Sequence, residues 1–276
     1  MIPKLMLMTV LGLTSGDAEP KGHLVIVGGG PSSEVIQRRA LELAGGAEAR
    51  VLIIPFASRS PDAGERTVSL WRSFGAEQVE VLSADDPEAA EEQVARADLI
   101  WMRGGSQNRL MEALLERPGL IESIRARYVD GATVGGTSAG AAVMSRLMIA
   151  GWDGRRDDDR PRCSDGLGLW PDVIVDQHFI RRNRRVRLEA AVRENPALLG
   201  VGIDESTAVI VHGREFEVLG NSEVLVFDAR KVSAPAASDM PMEGAASGVV
   251  PLATCTLKPG MRYHLDRGVL TEQPSE

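Results

Sequence analysis

The chain has 276 residues, 43% hydrophobic and 25% charged, which is ordinary globular usage with length for one large α/β domain. Its formal net charge of −8 argues against non-specific nucleic-acid binding. The two cysteines, Cys163 and Cys255, have no CxxC or zinc-type spacing, so neither a metal nor another cofactor is expected, and one disulfide is open to them in an oxidising compartment.

At the N-terminus Lys4 precedes an apolar run over 5–13, followed by Gly16-Asp17-Ala18. This pattern predicts a secretory signal over 1–18 and a periplasmic or secreted location, the alternative being an N-terminal arm on a cytoplasmic protein. The run is too short to span a membrane, and no other segment could do so.

Residues 24–27 read as a buried strand ended by Gly28-Gly29-Gly30, with a helix from Pro31 to about residue 44. Strands follow at 51–54, 79–82, 99–102 and 133–134, and helices at 61–74, 87–96 and 108–116. Apolar strands without period-2 alternation, separated by helices, predict a doubly wound, mostly parallel sheet covered on both faces. Ligands in such folds bind at the carboxyl ends of the strands. Gly28-Gly29-Gly30 fits a dinucleotide loop poorly, because Ser33 stands where a third glycine belongs and no acid ends the second strand.

The second half changes character. Residues 152–165 read as a charged loop, 173–176 and 199–203 as strands, and 183–194 as a helix. Residues 207–211, 215–219 and 224–227 read as a β meander. A loop or linker over 230–248 and a short β segment over 249–270 complete a β-rich extension. The expected division is 1–18, an α/β domain over 22–228, and the extension over 229–276.

Gly136-Thr137-Ser138-Ala139-Gly140 fits G-x-S-x-G, follows a strand and opens a helix expected over 139–146. That is the context of a nucleophile elbow, with Ser138 lifted to a helix start. Of four histidines, His23, His212 and His264 lie at the wrong strand end, in a turn or in the extension. His178 ends a strand at the carboxyl edge and is the candidate general base. Asp204 and Glu205 end another strand, and either is placed to orient an imidazole. The order Ser…His…acid disfavours the α/β-hydrolase fold, which runs Ser…acid…His. Gly104-Gly105-Ser106-Gln107 follows the fourth strand: the Gly105 and Ala139 N–H groups are candidate oxyanion donors, and Gln107 a substrate contact. Ser106 also suits a plain helix N-cap. Residues 181–187 hold five arginines, suited to carboxylate recognition or to a solvated helix face paired with Glu189 and Glu194.

These motifs resemble the peptidase S51 family, its cyanophycinases in particular. The resemblance rests on Gly104-Gly105-Ser106-Gln107, Gly136 to Ala141, Asp176-Gln177-His178-Phe179, Gly202-Ile203-Asp204-Glu205 and the arginines at 182, 184 and 187, and covers about 22–228. It implies a fold like that of class I glutamine amidotransferases. It also implies Ser138 as nucleophile, His178 as base, Glu205 as its orienter, and Gln107, Arg182 and Arg184 as substrate contacts. The implied substrate is a peptide or polymer of aspartyl and arginyl type, an aspartate backbone with arginine on each β-carboxyl, cleaved to β-aspartyl-arginine dipeptides. Ser106 departs from the family's asparagine. An aspartyl or isoaspartyl dipeptidase, or a catalytically silent peptide-binding protein, are the alternatives, and a homodimer is compatible with either.

Overall fold

The computed structural model describes residues 19–152, 160–231 and 251–270. The expected signal over 1–18, the triple aspartate at 157–159 and most of the expected linker therefore lie outside the described residues. Within them, no helix is long and apolar enough to cross a membrane.

The first half alternates as its sequence pattern requires: β1 (Leu24–Val27), α1 (Glu34–Leu43), β2 (Arg50–Ile54), α2 (Ala63–Ser73), β3 (Gln78–Val81), α3 (Pro87–Arg96), β4 (Leu99–Met102), α4 (Gln107–Leu115), α5 (Leu120–Val129), β5 (Thr133–Thr137) and α6 (Ala139–Ala142). The five strands pair in parallel in the order β1-β5-β4-β2-β3. Alternate side chains explain the unbroken apolar runs, since both faces are covered. Ile26, Ile54, Ile100 and Met102 face one core cluster, while Val25, Ile53, Leu99 and Trp101 face the other, against α1 and α2. Trp71 of α2 meets Trp101 edge-on, with ring centroids 4.9 Å apart. Helix starts are set locally: Asp86 accepts the Ala89 N–H at 3.0 Å with Pro87 in the first turn, and Ser106 accepts that of Arg109 at 3.4 Å.

The second half comprises β6 (Leu147–Trp152), β7 (Pro161–Asp165), β8 (Val173–Gln177), α7 (Arg185–Glu194), β9 (Leu199–Ile203), β10 (Thr207–His212), β11 (Glu215–Gly220), β12 (Val224–Asp228), β13 (Ala253–Leu257), β14 (Arg262–His264) and β15 (Gly268–Leu270). β10 joins the parallel block antiparallel to β1, and β11, β14 and β15 extend it to nine strands. A separate four-stranded sheet runs β13-β12-β9-β8, with β8 and β9 parallel. The mostly parallel sheet and the β-rich C-terminal region are both present.

Five expectations need correction. The helix after Gly30 begins at Glu34, because Ser33 is extended (φ −104°). The helix after Ser138 stops at Ala142, and β6 follows it. Residues 161–165 form a strand, not a loop; as one half of a two-stranded ribbon they bury little, so their hydropathy carries no strand signal. The meander is broken: β10 and β11 form a hairpin, but β12 crosses to β9 in the other sheet. The helix expected from residue 183 starts at Arg185, because Asn183 is left-handed (φ 47°). Helix α5 was not anticipated at all.

One buried ion pair clasps the second sheet to α7. Asp176 of β8 is 1% exposed, and Arg187 of α7 is 8% exposed. The Arg187 Nε donates to Asp176 Oδ2 at 2.7 Å, its Nη2 donates to Oδ1, and the Gln177 N–H adds a bond of 2.9 Å to Oδ1. Removing one member leaves the other charge buried and unpaired. Asp176→Ala should therefore lower stability by about 3–5 kcal/mol, read as a lower denaturation midpoint in urea; an unchanged midpoint would show that the clasp is dispensable.

Candidate active site

The carboxyl ends of β1, β4, β5, β8 and β9 meet at one place. Ser138 sits between β5 and α6 with φ 54° and ψ −107°, a conformation that side chains rarely adopt. Its N–H donates to the Val27 carbonyl at 3.0 Å, which ties the turn to the end of β1. The turn tolerates no bulk: a Cβ at Gly136 would lie 2.6 Å from the Gly140 backbone.

His178 follows β8 and is 7% exposed. Its Nε2 lies 2.9 Å from Ser138 Oγ, and its Nδ1 lies 2.6 Å from Glu205 Oε1. With a carboxylate on Nδ1, that nitrogen carries the hydrogen, and Nε2 is free to accept from the serine hydroxyl. Burial lowers the imidazole's pKa below its ordinary value; the bond to Glu205 works the other way, and the charge of Arg182 adds to the lowering. A neutral imidazole is the form that can accept a proton.

The choice between the two adjacent acids is resolved by their partners. Asp204 Oδ1 accepts the Arg181 N–H at 2.9 Å, and its Oδ2 accepts the Ser222 hydroxyl at 2.9 Å. Asp204 therefore caps loops, while Glu205 reaches the imidazole. His23 and His212 stack on each other, 4.4 Å between ring centroids, at the start of β1 and the end of β10. They lie at the opposite edge of the sheet.

The β4–α4 loop lies against the serine. A Cβ at Gly104 would be 3.2 Å from Ser138 Cβ, and Gly105 has φ 151° with its Cα face on the Ala57 carbonyl. Among the described residues, neither the Gly105 nor the Ala139 N–H donates to a backbone carbonyl in the turns and loops. Gln107 donates from Nε2 to the Ile149 carbonyl at 3.0 Å, which anchors its amide and leaves Oε1 as an acceptor. Among the described residues no group of three or more His, Cys, Asp or Glu side chains could hold a metal, and Cys163 and Cys255 are both free.

The arginine run divides. Arg182 is exposed beside His178. Arg184 is half-buried, with Nη1 donating to the carbonyl and the side-chain oxygen of Gln177, each at 2.7 Å. Burial, then repulsion from Arg187, pushes its pKa down to about 10. Arg185 pairs with Glu189 at 2.6 Å on the outer face, as a solvated helix face predicts. Glu194 pairs instead with Arg160, at 3.6 Å. Sequence reasoning missed Gly28-Gly29-Gly30, which it weighed only as a nucleotide loop. These glycines are the floor of the site: a Cβ on Gly29 would sit 2.5 Å from His178 Nε2, and one on Gly30 2.7 Å from Glu205 Cβ.

With that geometry in hand, comparison with known proteins is direct. The family model described as Peptidase family S51 matches residues 24–219. Cyanophycinase from Geminocystis herdmanii is 41% identical over 231 residues, 80% of this chain and 81% of the relative. Peptidase E from Pasteurella multocida is 28% identical over 185 residues, 64% of this chain and 77% of the relative. A solved peptidase from an acI-B1 actinobacterium superposes with a TM-score of 0.64 at 22% identity, over 89% of this chain and 98% of that one, a likeness of fold. The family match over most of the chain, joined to that level of identity, makes this chain a serine peptidase belonging to peptidase family S51.

Proposed function

We propose that the protein is a serine exopeptidase that hydrolyses cyanophycin or related aspartyl and β-aspartyl peptides through an acyl-enzyme on Ser138. The observation that carries this is the hydrogen-bonded chain from Ser138 Oγ through His178 to Glu205, 2.9 Å and 2.6 Å long. Identity to a cyanophycinase of 41%, against 28% to a peptidase E, favours the polymer over a dipeptide substrate.

In this mechanism His178 takes the Ser138 proton as Oγ attacks the scissile carbonyl. Negative charge develops on the carbonyl oxygen, and the Gly105 and Ala139 N–H groups receive it. The imidazolium, held by Glu205, then protonates the leaving amine. Water enters, gives its proton to the same nitrogen and releases the acyl group. Arg182 and Arg184 hold a substrate carboxylate, which fixes the direction of the scissile bond. Arg184 already donates to Gln177, so it acts with one edge of its guanidinium while the other edge keeps it in place. Gln107 accepts a substrate N–H through its Oε1.

The direct test is release of β-aspartyl-arginine from cyanophycin, set against a panel of Asp-X and β-Asp-X dipeptides. Faster cleavage of dipeptides would make the protein a dipeptidase. Failure of a fluorophosphonate probe to label Ser138 would make it a silent binder.

Ser138→Ala should lower turnover by roughly 10⁴- to 10⁶-fold with substrate binding retained. Wild-type turnover in that variant would remove the assignment.

The pH profile follows from the lowered His178 pKa. The base works neutral, so kcat/KM should be flat at neutral pH and fall as pH drops through a midpoint below 6.5, the ordinary histidine value. A midpoint above 6.5 would mean that the carboxylate outweighs burial.

Gly29→Ala should cost about 100-fold in kcat/KM, because its Cβ displaces the imidazole and the φ of 99° is unfavourable for alanine. Unaltered kinetics would show that the floor can yield.

A further inference from the structure

Arg103 directly follows β4, just before the glycine loop, and it forms no ion pair among the described residues. Its Nη1 is a buried atom with no hydrogen-bond acceptor among the described residues. Trp101, two residues earlier, faces α2, so strand alternation sends Arg103 to the same side, above the start of that helix. Its charged neighbours there are Arg66 and Asp62. Asp62 is already engaged: it accepts the Ser60 hydroxyl and pairs with Arg66 at 3.2 Å. Arg66 also donates to Ser60 Oγ at 3.0 Å. Burial and then the neighbouring Arg66 charge press the Arg103 guanidinium below its ordinary pKa, and the Asp62 charge offsets only part of this.

The loop that follows fixes where this charge lies. Gly104 packs against Ser138, with a Cβ there 3.2 Å from that of the serine. Arg182 and Arg184 approach from the His178 side. Arginines thus stand on two chain segments that flank Ser138: Arg182 and Arg184 after β8, and Arg103 after β4, one residue before Gly104. We propose that Arg103 is a specificity-determining residue that binds a second substrate carboxylate, on the α2 side of Ser138. The inference rests on the catalytic reading of Ser138, His178 and Glu205 given above. Its chemistry suits that substrate class: an arginine amide-linked to an aspartyl β-carboxyl keeps its own α-carboxylate. Two adjacent units thus present two carboxylates flanking one scissile bond. A guanidinium with an unfilled donor is a ready partner for one of them.

The test uses the full chain and three peptides: a two-unit β-aspartyl-arginine peptide with both arginine carboxylates free, and its two mono-carboxamides. The native protein should cleave the free acid roughly 10- to 100-fold better, in kcat/KM, than each mono-carboxamide. Arg103→Met should erase the discrimination against one of them, mainly through KM, and keep that against the other. Arg103→Lys, retaining the charge, should keep part of it. Fluorophosphonate labelling of Ser138 should be unchanged in all variants. Arg103→Gln carries the same comparison should the methionine variant fail to fold. Full discrimination against both carboxamides in the Arg103 variants overturns the inference, as does its absence in the native protein. If the native protein neither labels nor cleaves any of the three peptides, the catalytic reading itself falls.

Discussion

The site depends on a close approach of bare backbone to the acid–base pair. Gly28, Gly29 and Gly30 follow β1; the Asp204 backbone lies on the first, His178 on the second and Glu205 on the third, with no room for a side chain between. The contact is also hydrogen-bonded. The His178 N–H donates to the Gly28 carbonyl at 2.6 Å, the Ser206 N–H to that of Gly29 at 2.8 Å, and the Gly28 N–H to that of Thr207 at 2.9 Å. His178 and Ser206 take up left-handed backbone to make these bonds, with φ of 48° and 52°. Strain of this kind persists only where surrounding structure over-determines it. Here the determinants are two sheets: β1 belongs to the large one, and β8 and β9 to the small one.

Electrostatics then sets how the pair works. A histidine held by a carboxylate usually rises in pKa, yet His178 falls, because burial comes first and Arg182 stands close by. The cation proposed above to bind substrate thus also adds to the lowering of the imidazole pKa. When a carboxylate docks on Arg182, its repulsion on the imidazole is relieved. On the proposed mechanism, a carboxylate docked there would leave protonation of the imidazole in the tetrahedral step less opposed. The buried Asp176 carboxylate supports this from below, since it accepts from Arg187 and lies 3.5 Å from Arg184. It holds the arginine-rich segment at a fixed height above β8.

The parallel half of the fold was legible in the sequence because its strands are buried on both faces, so their hydropathy is unbroken. The meeting of Ser138 and His178 was legible for a related reason: the carboxyl edge of such a sheet admits few polar side chains, and elimination left one histidine there. The ribbon of β6 and β7 was not legible, since a two-stranded element exposes most of its residues. Nor was the crossing of β12 to the small sheet, because a hairpin and a sheet change have the same local pattern of alternating residues. Glu205 could not be separated from Asp204 on position alone. What separates them is Ser222, 18 residues away, which occupies the Asp204 carboxylate. The role of Gly28-Gly29-Gly30 was hidden by a misleading comparison. A glycine run after a first strand suggests phosphate, whereas here the approaching group is the protein's own imidazole.

Strand register explains why the order Ser…His…acid works on this scaffold. In the large sheet Val27 of β1 pairs with Thr137 of β5, so the glycine floor and Ser138 leave their strands at the same level. In the small sheet Gln177 of β8 pairs with Ile203 of β9, so His178 leaves level with Asp204. Glu205 is one residue further along, on the side of the glycine floor, and its longer side chain reaches back to Nδ1. A one-residue slip in either pairing would turn each of these side chains to the opposite face of its strand. Base and acid come from adjacent parallel strands of one sheet, so a shift of that sheet moves them together and preserves their bond of 2.6 Å. The bond between His178 and Ser138 crosses from sheet to sheet, and it is the one that a relative movement would break. The glycine floor prevents that movement, since it bonds to the turns after β8 and β9 while β1 itself is paired to β5.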